Sequence, residues 1–438
     1  MVELDENDGV KQSNYRDFFD GQEYLDAYAD GRILDDDIML MLSMDGAQIY
    51  QNKASNCWMY IWVILDLPIE QRYKKHNVLP GGIIPGPHKP KKLDSFLFPG
   101  LFHLSALQHN GLTIWNASKR TTVKCHPFLA LISTDSPAMA SLSGQVGPNG
   151  CRLCCFYCEI VGRHVDLQQL LRCSSDSAYV TVNYEENLKW LCHIQTKAQY
   201  EHVRRETGIV KPTIFSGLSA KHCLSIPGLF CGDCMHLPAL NLTDLLIPLF
   251  RGTFDCDSTD DKSLWSFAIL QDANIWKAHG KQVADFCPYI PGSFDRPPRN
   301  PAEKISSGYK AWEFLLYFFG LGPCLFYELL PDNFYVNYCQ GIAGTLLMLQ
   351  HEISPNDNKE SNRLLTKFSD DFELLYAGRH IDRIHFVHPS IHGISHWPFE
   401  TFCISPPMIY SQWTMERFIG NLTEEISQHS NAFSNLFQ

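Results

Sequence analysis

The sequence predicts an α/β fold: a small mixed sheet with helices on its faces, then a large helical region, then one late helix. Three observations predict it. Apolar runs dense enough for buried strands fall within residues 38–143. Beyond about residue 165 strand patterns become scarce and helical spacing takes over. A last amphipathic stretch opens with Trp413-Thr414-Met415-Glu416-Arg417. The organisation expected is a polar lead-in over 1–36, a sheet core over 37–164 with a Cys-rich segment at 151–164, a mainly helical region over 165–405, and a final helix within 406–438.

Each element has its own warrant. Residues 1–36 are polar and acidic with short aromatic islands such as Tyr15, Phe18 and Phe19, which reads as a loosely packed lead-in. Ile38–Met44 and Cys57–Leu65 are apolar and aromatic-rich, as in a hairpin. Gly81-Gly82-Ile83-Ile84-Pro85-Gly86-Pro87 reads as a loop or short edge strand. Leu93 to His109 carries Phe96, Leu97, Leu101, Leu104 and Leu107 at helical spacing, and Phe128–Thr134 is the next strand. Alternating strands and a helix suit a mixed sheet covered by helices. Glu185–Thr207, Ala311–Phe319, Asn333–His351, Asn362–Ala377 and Met415–Ser427 all read as helices.

Composition is that of a soluble globular protein, with 45% hydrophobic and 19% charged residues. Met1 to Asp8 is acidic and lacks the apolar stretch of a secretion signal. The greasy run Phe314–Tyr327 is too short for a bilayer and is broken by Gly320-Leu321-Gly322-Pro323. Sixteen cysteines without a secretion signal point to reduced thiols or a metal in a nuclear or cytosolic protein. A net charge of −12 weighs against nucleic-acid binding, because phosphate neutralisation dominates such affinity. Two small basic patches, Arg72, Lys74, Lys75 with His76 and Lys89, Lys91, Lys92, are the candidate DNA contacts; the other reading is a solvated face.

Three acids carry the chemistry. Asp45 follows the run Ile38–Met44 and precedes Gly46; Asp135 follows Phe128–Thr134 and precedes Ser136-Pro137; Glu416 heads the last amphipathic stretch. An acid at the end of a buried strand points into a cleft. Two such strands and a helix can hold a pair of Mg²⁺ or Mn²⁺ ions, which take carboxylate oxygen. Paired ions clamp the attacking and leaving oxygens of a phosphodiester. Taken singly, each acid reads more readily as a turn or cap residue. Clustered carboxylates repel unless a cation neutralises them, so a shared metal is the reason to bring three together.

Soft ligands form a second constellation. Cys151, Cys154, Cys155, Cys158 and His164 are the densest set and suit structural zinc, with a reduced thiol cluster as the alternative. Asp233 and His236 have DxxH spacing; a capping Asp and a core-edge His are the plainer reading. His385, His388, His392 and His396 are interleaved with Phe386, Val387, Ile391 and Ile394, which favours helical packing over metal binding.

Read in order, these stretches resemble the transposases of CACTA (En/Spm-type) DNA transposons, in the lineage abundant in mushroom-forming fungi. The matching stretches are Ser43-Met44-Asp45-Gly46, Leu79–Pro87, Thr134-Asp135-Ser136-Pro137-Ala138, Gly150-Cys151-Arg152-Leu153 with Gly162-Arg163-His164, Asp233-Cys234-Met235-His236, and Tyr410–Leu422. The resemblance implies an RNase H-like core with an Asp-Asp-Glu triad at Asp45, Asp135 and Glu416. It implies an all-helical insertion ahead of the Glu-bearing helix, and Asp233 and His236 as ancillary residues near the active site. It supports Cys151 and Cys155, with Cys158 a departure. Members usually carry more sequence at both ends, so a truncated or host-retained copy is expected.

The resulting expectation is a DDE-type transposase core that cuts and joins DNA with two Mg²⁺ or Mn²⁺ ions. Transposon ends and target DNA would be its partners, self-association a further candidate, and no membrane is involved. The rival is a catalytically silent remnant acting as a DNA- or protein-binding module.

Overall fold

A computed structural model describes residues 14–48, 56–86, 90–147, 155, 158, 184–294, 296–378 and 380–425. The chain divides into two units: Met1–Gly162 with Cys173–Asp233 and Phe402–Gln438, and Arg163–Arg172 with Cys234–Thr401.

The first unit is built on a five-stranded sheet of order β3-β2-β1-β6-β7. Its strands are β1 (Ile38–Gln48), β2 (Asn56–Ile64), β3 (Leu79–Pro85), β6 (Pro127–Thr134) and β7 (Phe230–Cys231). β1 is antiparallel to β2 and parallel to β6, β2 is antiparallel to β3, and β6 is parallel to β7. The fold is therefore mixed α/β, as the sequence predicts.

Burial follows the pairing. All eight residues of β6, flanked by parallel partners, are buried, as a strand covered on both faces requires. Along β2, buried Cys57, Met59, Ile61 and Val63 alternate with half-buried Trp58, Trp62 and Ile64, the period-two signature of a strand with one drier face. β3 settles the Gly/Pro-rich segment as an edge strand, where missing N–H donors are tolerated. Its glycines let the backbone lie against a ring: a Cβ at Gly81 or Gly82 would meet Tyr60 at 2.2 or 2.7 Å.

Several elements depart from expectation. The described residues ahead of β1, 14–37, are packed: Phe18 in the turn before α1 (Gln22–Ala29), Tyr24 and Ala27 on it and Ile33 after it lie in the sheet's core. Helix α2 (Leu93–Asn110) buries Leu93, Leu97, Leu101, Leu104 and Gln108, whereas Phe96 lies on its outer side at 48% exposure. A two-stranded ribbon, β4 (Leu112–Asn116) with β5 (Thr121–Cys125), stands apart from the main sheet. Helix α3 (Ser136–Ser143) leaves the end of β6, and the stretch expected as one helix from Glu185 divides into α4 (Tyr184–Cys192) and α5 (Lys197–Thr207). The break has a cause: Thr196 and Gln199 form a capping box that starts a new helix. β7 is two residues long and joins the sheet from far downstream.

The described residues of the second unit contain helices and turns and no strand. They include α6 (Thr243–Phe250), α7 (Ala273–Asp285), and the pair α8 (Asp332–Met348) and α9 (Pro355–Phe372), which pack together. Its core is aromatic: Phe250, Phe318, Phe326 and Tyr338 meet with ring centroids 5.1–6.2 Å apart. No described helix is long and apolar enough to cross a membrane.

Candidate functional site

β1 and β6 pair in parallel from Ile38↔Pro127 to Met44↔Thr134, so Asp45 and Asp135 take the next position on neighbouring strands. Neighbouring strands run about 4.8 Å apart. Thr134 Oγ1 donates to the Met44 carbonyl at 2.8 Å and ties the two strands together at this point. This is the carboxyl end of parallel strands, where open α/β sheets place ligand sites.

The two acids are held differently. Asp135 is the N-cap of α3, its Oδ1 accepting the Ala138 N–H at 2.8 Å. Asp45 is 9% exposed, and its Oδ1 accepts the Gly46 N–H at 2.6 Å. Asp45 does not close its strand, because β1 continues beside β2 to Gln48↔Asn56. Gly46 is not a breaker there: it sits opposite Trp58, whose ring a Cβ would meet at 3.3 Å.

Glu416 lies on α10 (Trp413–Glu425), which packs against β1. Met415 is fully buried in the sheet's core, while Glu416 is exposed. The start of α10 is fastened to the sheet by Gln412, whose Nε2 donates to Ser43 Oγ at 3.0 Å and Ser133 Oγ at 2.8 Å. Asp233, two residues past β7 and 6% exposed, accepts the Gln412 backbone N–H at 2.8 Å. Asp233 thus touches the segment that carries the third acid. His236 opens a π-helical turn in the second unit and is half-buried.

Of the expected soft ligands, Cys151, Cys154 and His164 lie outside the described residues. Cys155 and Cys158 are 8% and 6% exposed, and no described cysteine forms a disulfide. His392 and His396 are buried within the second unit, 3% and 4% exposed. His392 and His396 bring their Nε2 atoms to 2.9 Å. Burial, and then His392, push His396 well below the usual histidine range. The interleaved apolar residues favour packing for these histidines, and their HxxxH spacing is the signal for their pairing.

The basic residues divide. Arg72 is 1% exposed, and its guanidinium pairs with both Asp17 oxygens at 2.9 and 2.7 Å and with the carbonyls of Leu67 and Leu65. It is a structural ion pair and leaves the candidate DNA surface. A Pro68–Arg72 turn between β2 and β3 carries it inward, which a local count of positive charge does not reveal. Lys74, Lys75, Lys91 and Lys92 are exposed, and Lys89 lies outside the described residues.

Residues 23–183 match the model of transposase family tnp2. The match spans β1 to α3, hence Asp45 and Asp135, and stops short of Asp233, Gln412 and Glu416. A search of curated proteins finds no match. The family match over that segment supports a transposase.

Proposed function

We propose that the chain carries the catalytic core of a DDE-type DNA transposase of the CACTA kind, with Asp45, Asp135 and Glu416 as its acids. The observation that carries this reading is the emergence of Asp45 and Asp135 side by side from adjacent parallel strands. Support for an RNase H-like core comes from the sheet order, in which β2 alone runs against the other four strands. A nuclear site of action follows from a DNA substrate.

The donor set fits Mg²⁺ or Mn²⁺, because carboxylate oxygens are what these ions take and two adjacent carboxylates need a cation between them. Bound ions would supply Lewis-acid activation of the attacking and leaving oxygens. The chain's own part is placement. Asp135 is fixed by its cap bond, Asp45 by its strand on both sides, and Glu416 by the fastening of α10. The Cys-rich segment at 151–164, with Cys155 and Cys158 buried, is proposed to hold structural zinc.

The test is nicking of labelled transposon-end DNA by the whole chain in Mg²⁺ or Mn²⁺. Asp135→Asn is the control of choice, since Asn caps a helix as well as Asp and removes only the charge. Nicking by the wild type, with the variant at the metal-free background, is the expected result. Equal nicking by both would refute the triad. The rival, a silent remnant, draws on the net charge of −12 and the removal of Arg72 from the basic surface. It predicts DNA retention without nicking in either protein.

A further inference from the structure

Ser43, Ser133 and Gln412 are buried polar residues at the heart of an apolar sheet, 2%, 0% and 0% exposed. Ser43 and Ser133 are directly paired across β1 and β6. Each precedes its acid by two residues, so Ser43 shares a strand face with Asp45, one pleat of about 7 Å away. Ser133 stands in the same relation to Asp135. Gln412 spans both serines through one Nε2. Four residues later comes Glu416, whose N–H donates to the Gln412 carbonyl at 2.9 Å, a rise of about 6 Å. All three acids therefore stand one structural step from a single hydrogen-bonded knot.

The knot is anchored from two more directions. Ser133 Oγ donates to the Tyr410 carbonyl, which fixes the chain entering α10. Asp233 accepts the Gln412 N–H, one of the donors a helix start leaves without an intrahelical partner, and its charge suits the positive end of the helix dipole. Burying an amide costs free energy unless its bonds are made. Gln412 Oε1 has no partner, so the group is retained at a cost that an apolar residue would avoid.

Resting on the triad reading above, we infer that Gln412 is the positioning residue that sets the Glu416 helix in register with the two acid-bearing strands, with Asp233 as its anchor. An apolar contact such as Met415 in the core holds α10 against the sheet but lets it slide or turn. Three directional bonds fix one rotation and one height. Gln412 itself touches no reacting group; it acts through Glu416.

The variant to make is Gln412→Met, which keeps the volume and removes the amide. Mn²⁺ binding is followed by electron paramagnetic resonance, alongside nicking rates and DNA half-saturation. The expected result is a drop of about 10-fold or more in Mn²⁺ affinity, the range seen when groups that orient metal ligands are removed. Turnover should fall with it while DNA half-saturation stays constant. Ser43→Ala with Ser133→Ala should reproduce much of the drop, and adding Gln412→Met to that pair should cost little more. A folded Gln412→Met protein with wild-type Mn²⁺ affinity and turnover overturns the inference. Wild-type protein whose Mn²⁺ binding is indifferent to Asp135→Asn overturns the triad reading itself, and with it the inference. The binding measurement thus separates the two failures without needing turnover.

Discussion

Arg72 gives the sharpest division between a structural and a nucleic-acid role. Arg72→Met replaces a guanidinium that is 1% exposed, keeping its stem and removing its charge. Four hydrogen bonds disappear: two to the Asp17 carboxylate and two to the backbone carbonyls of Leu65 and Leu67. Breaking a buried ion pair by removing one partner costs about 3–5 kcal/mol, because the other charge is left behind. Here the remaining carboxylate is 23% exposed and still accepts the Phe18 N–H at 2.7 Å, so part of its solvation survives. The partial solvation shifts that cost down, to an expected destabilisation of about 2–4 kcal/mol.

Urea unfolding of the first unit's signal measures the destabilisation. Adding Asp17→Asn, which keeps the cap while removing the stranded charge, should restore part of the stability. The same variants go into DNA-binding titrations across salt. Arg72→Met should leave the slope of log affinity against log salt unchanged. Lys91→Ala with Lys92→Ala should flatten it by about 1.8, at about 0.9 for each phosphate no longer neutralised, for any DNA sequence. A stable Arg72→Met protein with weakened DNA affinity and a flattened slope would refute the structural assignment and return Arg72 to the DNA surface.

Two further outcomes are expected. If the Cys-rich segment holds zinc, protein purified without chelator should carry about one zinc per chain by elemental analysis, and Cys155→Ser with Cys158→Ser should remove it; wild-type protein free of zinc would refute the assignment. His279, 2% exposed and bonded through Nε2 to the Tyr317 hydroxyl at 2.8 Å, is pushed down to about 4 from 6.5 by burial. The unfolded chain therefore binds a proton between these values that the folded one refuses, so this stability is full above pH 6.5 and lost as pH falls toward 4. The decrease amounts to about 3 kcal/mol. Between pH 7 and pH 5 about 2 kcal/mol of it should appear on denaturation, and His279→Gln should reduce the difference; an unchanged difference would refute it.

The sheet was legible where burial writes itself into local pattern. β6 is buried on both faces and reads as an unbroken apolar run, and β2 alternates as a strand with one drier face must. β7 was not legible, because two residues carry no period and its place depends on pairing with Ile132 and Ser133 about a hundred positions earlier. The β4–β5 ribbon was missed for a different reason. Its side chains are mostly exposed, so apolar patterning, which reports burial, has little to report.

The same distinction governs the site. Asp45 and Asp135 could be found because each follows an apolar run that identifies its strand, although β1 continues past Asp45, and parallel pairing then does the rest. Gln412 could not, since a glutamine before a helix looks like solvent-facing sequence until two serines from separate strands are seen to share its amide. Directional polar groups in a core have no periodicity; their meaning lies in partners 369 and 279 positions away. The converse also holds. A buried amide that leaves one oxygen without a partner is not explained by stability, for which leucine or methionine would serve better. What it can supply is a fixed rotation of the helix it begins, and Glu416 is the exposed acid on the first turn of that helix.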